Sequence, residues 1–481
     1  MIPDPATPMA EPATRLPDLD ALLAAQRRAF DADPYPSAAQ RRARLAALER
    51  VLTAHAPALE RAIDADFGGR SPHETRLLEL FPSVAAARHA RRHVGRWMKP
   101  ERRPVSMWFL PGANRLVRQP LGVAGIIVAW NYPLFVAIGP LVGALAAGNR
   151  AMIKMSEFTP RTGEALAAML RDAFPEDLVA VVNSGVEVAQ AFSRLPFDHL
   201  LFTGSTGVGR AVMAAAADNL TPVTLELGGK SPAIVGPEFP VATAAERILF
   251  GKLVNAGQTC VAPDYVLLPA GREEAFVAAA RAVVARRYPR LADNPDYTAI
   301  ASERQYRRLA QWLAEARAAG ARVEEINPAG EQLDPAARKL APALVLGAPA
   351  GARLMTDEIF GPILPLVAYR RFEDALAHVR ERPRPLALYL FEHDRERIEA
   401  VLTRTHAGGV TLNDTLLHVG QEELPFGGVG ASGMGAYHGR AGFETFSKAK
   451  GVFRRRGLSG SDWLQPPFGK LAERLVRLML R

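Results

Sequence analysis

The chain holds one cysteine, Cys260, in 481 residues. A lone thiol forms no internal disulfide and builds no cysteine metal site, so no metal centre is expected and a reducing, cytoplasmic location fits best. Lysine is scarce too, with eight among the 59 basic residues. The opening stretch MIPDPATPMAEPATRLPDLD lacks both the basic and the apolar region of a secretory signal and reads as a disordered tail over residues 1–20. A membrane span is also disfavoured. No charged residue occurs from Pro120 to Asn149, but Asn131-Tyr132-Pro133 and Gly139-Pro140 interrupt that run. A buried parallel strand over Val123–Ala129 and a buried helix after it use the same residues without leaving polar backbone in lipid.

What is present suits a globular enzyme: 48% hydrophobic and 23% charged residues, and length enough for two or three domains. The net charge of +9 is uneven, because Gly451–Arg481 carries seven basic residues against two acidic ones. Charge of this kind gives non-specific attraction rather than a function, and no nucleic-acid partner is expected.

From Ala21 to about Arg102, apolar residues three and four apart predict a helical lead-in. Residues 105–120 flank Pro111-Gly112-Ala113-Asn114 and read as a hairpin with a longer loop, an element that often serves assembly. Beyond it, strands and helices alternate, which predicts a parallel sheet covered by helices. The turn GSTGVGR (204–210) lies between strand HLLFT and a helix. Such a turn can aim backbone N–H groups at a phosphate, yet it lacks the G-x-G-x-x-G order and equally suits an ordinary tight turn. A second α/β unit begins near Gly228, and LPFGGVGASGMGAYHGR (424–440) follows it.

Cys260 sits in NAGQTCVAPDY (255–265), after a predicted helix and behind Gly257-Gln258-Thr259. A loop of this kind can present a thiol to a cleft. No histidine is near it in sequence, so a Cys/His pair is not visible. A thiol attacking an electrophile also needs oxyanion donors, an acceptor for the departing group and a base for the water that clears the intermediate.

Asn131 in AWNYP, Glu226 in LELGGKSP, Cys260 in GQTCVAPDY, the run Glu358-Ile359-Phe360-Gly361-Pro362 and LPFGGVGASGMGAYHG together resemble the NAD(P)-dependent aldehyde dehydrogenases. The form is that of their class 3 branch, which includes bacterial coniferyl aldehyde dehydrogenases. The motifs keep the family's order over about residues 20–450. The resemblance implies an α/β fold with a Rossmann-like NAD-binding domain over 21–227, helical lead-in included, into which the 105–120 hairpin is inserted. A catalytic α/β domain over 228–424 and a glycine-rich cleft segment with an oligomerisation strand over 425–450 would follow. The hairpin and that strand would make a small β oligomerisation element, leaving 451–481 as a basic amphipathic tail.

The same resemblance implies that Cys260 is the nucleophile, that Asn131 holds the oxyanion and that Glu226 is the base for thioester hydrolysis. It implies cofactor contacts from Lys154, Glu157, Gly204, Ser205, Gly209, Gly228, Glu358 and Phe360. Met155 stands where the family's K-P-S-E motif has proline, which frees the local φ. Trp130, Tyr132 and His418 are candidates for the aldehyde pocket. NAD is expected ahead of NADP, because Glu157 would repel a 2′-phosphate, and the expected substrate is an apolar or aromatic aldehyde, with the coniferyl type as one candidate. A homodimer is expected. The rival readings are a CoA-acylating aldehyde dehydrogenase, a cofactor-free thiol esterase and a non-enzymatic binding protein. At the C-terminus, Leu471, Leu475, Leu478 and Met479 share a helical face beside Lys470, Arg474, Arg477 and Arg481. That helix would dock on protein, its own subunit or a partner, or make weak peripheral contact with an anionic membrane.

Overall fold

The computed structural model describes residues 18–457 and 460–480. Two parallel-rich sheets and one small antiparallel sheet carry the architecture. The first sheet runs, edge to edge, Gly433–Met434, Val223–Glu226, His199–Thr203, Val123–Ile127, Arg150–Met155 and Val179–Asn183. Its five long strands are mutually parallel, and only Gly433–Met434 is antiparallel. Taken in chain order, the parallel strands lie 3-2-1-4-5 across the sheet, the order of a dinucleotide-binding fold without its sixth strand. Every residue of Val123–Ile127 and Arg150–Met155 is buried, as expected of strands covered on both faces. The uncharged run continues into helix Phe135–Ala147, all of which is buried, and the helix ends at left-handed Gly148. Among the described residues no helix is long and apolar enough to cross a membrane.

The second sheet runs Arg322–Glu325, Ala343–Leu346, Ile363–Tyr369, Tyr265–Pro269, Pro232–Val235, Ala387–Phe391 and Gly409–Leu412. All its pairings are parallel except the first. The chain crosses from one sheet to the other in the five residues between Glu226 and Pro232. The third sheet joins Glu101–Arg103, Ala113–Pro120 and Ser447–Arg454, all antiparallel.

Several boundaries differ from expectation. The hairpin pairs Glu101–Arg103, not residues 105–110, with Ala113–Pro120. Pro104 stops the first arm because it has no N–H to donate, and its carbonyl accepts from Asn114 Nδ2 at 2.8 Å. The helix after GSTGVGR begins inside that motif, at Thr206. The outer strand of the third sheet runs on to Arg454, so the first four residues assigned to the tail are paired backbone. At the other end, helix Leu19–Ala32 starts within the expected 1–20 tail, capped by Asp18 Oδ1 on the Ala21 N–H; residues 1–17 lie outside the described part. The C-terminal helix Lys470–Met479 forms, but Leu471, Leu478 and Met479 are exposed, so its own subunit does not cover the apolar stripe.

One buried ion pair ties the helical lead-in to the first sheet. Arg70 Nη1 meets Glu79 Oε1 at 2.9 Å, with neither side chain exposed. Glu79 Oε2 accepts the N–H groups of Leu134 and Phe135 at 2.8 and 3.2 Å, at the start of the buried helix. The guanidinium lies 4.9 Å from the Phe67 ring and 4.8 Å from the Tyr132 ring. Replacing Glu79 by Ala leaves an uncompensated buried cation and two orphaned N–H groups. We expect Glu79→Ala to lose about 3–5 kcal/mol of stability, measured by urea denaturation at fixed protein concentration; an unchanged midpoint would show the pair to be dispensable.

Candidate active site

Four strands of the first sheet, Val123–Ile127, Arg150–Met155, His199–Thr203 and Val223–Glu226, end at one crevice. That is the carboxyl edge, and the strand order reverses between Val123–Ile127 and His199–Thr203, where such sheets take ligands. Asn131 follows the first of these strands, Lys154 to Glu157 end the second, Gly204 and Ser205 follow the third, and Glu226 closes the fourth. The second sheet offers its opposite edge, because Cys260 and Glu358 lie just before strands Tyr265–Pro269 and Ile363–Tyr369.

The Cys260 loop is bent by three successive left-handed residues, Asn255 (φ 51°), Ala256 (φ 49°) and Gly257 (φ 76°). Two of them carry a Cβ and are strained there, so the bend needs external support. Glu74 supplies part of it, both carboxylate oxygens accepting the Asn255 N–H at 3.1 and 3.0 Å. Asn255 Nδ2 donates to the carbonyls of Asn131 and Gln258, each at 3.0 Å. Gln258 Nε2 donates back to the Asn255 carbonyl at 3.0 Å and to that of Ala299 at 3.1 Å. Asn131 Nδ2 reaches the Gln258 carbonyl at 3.2 Å, which sets its amide beside the thiol loop. Its own carbonyl accepts from Arg70 Nη1 at 3.1 Å, so the buried ion pair reaches the site directly.

Electrostatics mark the crevice. Glu226 is buried, and neither of its carboxyl oxygens has a partner. Burial alone pushes its pKa well above the usual carboxylate range. Glu358 lies across Gly228, where a Cβ would collide with its carboxylate, and its Oε1 has no partner. Burial and Asp264 push it up to about 8, against the Gly229 N–H, Lys230 and Lys252, which pull it down. Burial, then Glu358 and Glu226, push the Cys260 thiol up to about 12; the N–H groups of Cys260 and Val261 oppose them. The thiol and both carboxyls thus share one poorly solvated space.

The remaining candidates divide by position. Lys154 Nζ donates to the carbonyls of Met155 and Ser184, and Glu157 is exposed beside it. Met155 is buried and paired with Asn183, so the sheet supplies the rigidity that proline would have given. Ser205 sits at the N-cap of helix Thr206–Ala217 without making a side-chain cap, leaving first-turn N–H groups for a ligand. Gly209 faces inward: a Cβ there would stand 2.7 Å from Leu227 Cδ2, so its bareness serves helix packing. Phe360 (φ 53°) sets its ring edge-on to Trp130, centroids 5.3 Å apart. Tyr132 is buried, its hydroxyl bonded to Thr259 Oγ1 at 2.7 Å, which makes it a support of the thiol loop. His418 Nδ1 pairs with Thr411 Oγ1 at 2.7 Å among Tyr389 and Phe426, and Tyr389 in turn donates to the Val261 carbonyl.

Sequence reasoning missed the supports. Lys252 is fully buried with its ammonium unpartnered, pulled down to about 8 by burial while Asp264 and Glu358 hold it up. Lys230 pairs with Asp264 and donates to the carbonyls of Leu354 and Asp357 at 2.7 and 3.0 Å, latching the Glu358 loop. Both were available as rare lysines in an arginine-rich chain. Arg70, Glu74 and Glu79 carried no signal, since their partners lie far off in sequence.

The residues present suit a nicotinamide dinucleotide: open N–H groups for phosphates, exposed Glu157 for a ribose, and the orphaned Glu358 oxygen and Phe360 ring deeper in the crevice. Comparison with known proteins agrees. The model of the aldehyde dehydrogenase family matches residues 7–452. A probable coniferyl aldehyde dehydrogenase of Pseudomonas aeruginosa is 56% identical over 458 residues, 95% of either chain. Among solved structures, the substrate-bound state of Staphylococcus aureus AldH superposes with a TM-score of 0.91 at 33% identity, covering 97% of this chain and 100% of that one. A Mycobacterium tuberculosis aldehyde dehydrogenase complexed with NAD+ gives 0.82 at 31% identity, covering 92% and 90%. The chain therefore belongs to the aldehyde dehydrogenase family and is an oxidoreductase acting on aldehydes.

Proposed function

We propose that the chain oxidises an apolar or aromatic aldehyde, of the coniferyl type, to its carboxylic acid through a thioester on Cys260. The observation that carries this is Glu226: a carboxyl with two unpartnered oxygens, buried where the thiol feels its charge. Stability alone would not retain such a group, whereas a general base requires its raised pKa. In this reading Cys260 gives up its S–H proton to water as Sγ adds to the aldehyde carbon, and the new oxyanion is held by Asn131 Nδ2 and the Cys260 N–H. A bound nicotinamide supplies the hydride acceptor. Once the hydride has left, a thioester remains on Sγ. Glu226 then takes a proton from water as it attacks the thioester carbon, and the acid departs with Sγ regenerated. A base aimed at water argues against CoA as the acceptor.

Lys154 and Glu157 would hold the adenosine ribose, Gly204 and Ser205 would face the phosphates, and Glu358 with Phe360 would hold the nicotinamide end. Gly209 and Gly228 would contribute by allowing close packing beside them. Exposed Glu157 supports NAD over NADP, since it can accept from a 2′-hydroxyl and repels a 2′-phosphate. The named Pseudomonas relative supports the coniferyl-type substrate. Subunit association would use strand Ser447–Arg454, an edge whose backbone is exposed nearly throughout.

Three outcomes are expected. Cys260→Ser should abolish reduction of NAD by aldehyde while leaving NAD binding intact, measured by stopped-flow absorbance and by calorimetry; reduction at the parental rate would sink the nucleophile. In Glu226→Gln, a burst of reduced cofactor stoichiometric with sites should precede a steady state slowed by at least about 10²-fold. Unchanged turnover there would assign the water to another base. With coniferaldehyde, kcat/KM should be higher with NAD than with NADP, and higher than for a charged semialdehyde with the same cofactor; either reversal refutes the corresponding preference.

A further inference from the structure

The helical lead-in carries a group of ligating side chains that the aldehyde chemistry does not use. Helix Phe81–Trp97 places His89 and His93 one turn apart on the same face, ring centroids 4.2 Å apart. Glu423, from the segment that leads into the glycine-rich stretch, lies over them. One ligand atom from each of His89, His93 and Glu423 falls within 4.8 Å of the others. We propose that these three side chains form a binding site for a divalent zinc-type cation, which staples the segment before Phe426 to the helical lead-in.

Three observations carry the proposal. First, His93 Nδ1 lies 2.8 Å from the His89 carbonyl. A carbonyl only accepts, so Nδ1 bears the proton and Nε2 keeps its lone pair, the arrangement by which metal-bound histidines are oriented. Second, His89 Nε2 is a buried atom with no hydrogen-bond partner. It lies 3.4 Å from Glu423 Oε1, close to the roughly 3.4 Å that separates two ligands bound at zinc distances. Third, the rings of His89 and His93 both lie against Trp97, and the Glu423 side chain that reaches them is 69% exposed.

Burial, then the charge of His93, lowers the pKa of His89, with Arg96 and Arg92 adding and Glu423 opposing. The same two arginines oppose a dication, and Glu423 offsets part of that repulsion. Three protein ligands leave a fourth position for water. The third ligand lies some 330 residues from the histidines, which is why no spacing motif announces the site.

The site also has a structural consequence. Residues 413–432 join the edge strand of the second sheet, Gly409–Leu412, to the edge strand of the first, Gly433–Met434. Fixing Glu423 would restrain that crossing.

The test uses untagged full-length protein carrying Cys260→Ser, so that the reactive thiol cannot contribute. Titration with zinc sulfate by calorimetry should show one equivalent bound per chain, and cobalt(II) should give visible d–d bands. Adding His93→Gln or Glu423→Gln should weaken binding at least tenfold and abolish the bands. The zinc-induced rise in melting temperature should disappear with them. Glu423 is at the surface, so its variant stays informative even if His93→Gln folds poorly. No zinc binding, or binding unaffected by Glu423→Gln, overturns the proposal.

Discussion

The site depends on a charge pair that water cannot reach. Arg70 and Glu79, both on the helical lead-in, are wholly enclosed, and a buried cation of this kind is tolerable only with partners close beside it. They extend past the pair. Glu79 caps the buried helix that follows Asn131, and Arg70 holds the Asn131 carbonyl. That carbonyl also accepts from Asn255, whose left-handed bend turns the chain toward Cys260. The position of Asn131 relative to the thiol is thus set by the helical lead-in. Glu74 performs the same service from the next turn, so the lead-in acts as the bed of the Cys260 loop.

Across the crevice the structure accepts electrostatic cost. Glu226, Glu358 and Lys252 each bury at least one polar atom without a partner, and all three surround the thiol loop. Buried orphans are normally rare because each costs about 1–3 kcal/mol. Concentrating them in one place raises both carboxyls and the thiol and lowers the lysine. Glu358 and Lys252 are thereby brought to about the same value, near 8, while the thiol is pushed above both. The Lys230–Asp264 pair, which latches the Glu358 loop, stands just behind them.

Much of this was legible in the residues. The apolar run at 120–149 and the strand–helix rhythm to 227 identified a covered parallel sheet, since strands buried on both faces have no polar alternation to preserve. The motifs around Asn131, Glu226, Cys260 and Glu358 were readable for a similar reason. Each sits in a turn where glycine, proline or a small residue is demanded locally, so the constraint appears within a few positions of the residue it serves. Where the local demand was weaker, boundaries slipped. The first arm of the hairpin moved upstream of Pro104, and the helix after GSTGVGR began five residues sooner than its apolar stripe suggested, because helix N-termini tolerate glycine and serine.

Taken alone, the sequence determined the fold class, the presence of one thiol and the family to which its motifs point, because these are written in contiguous stretches. Only the tertiary structure decided what surrounds the thiol. The strand order that opens a crevice, the five-residue crossing that faces one sheet's carboxyl edge to the other's amino edge, and the burial that removes water from Glu226 are long-range facts. So is the pairing of Arg70 with both Glu79 and Asn131. A pKa depends on solvent exclusion and on charges brought in from about a hundred residues away, and no local pattern of side chains encodes either.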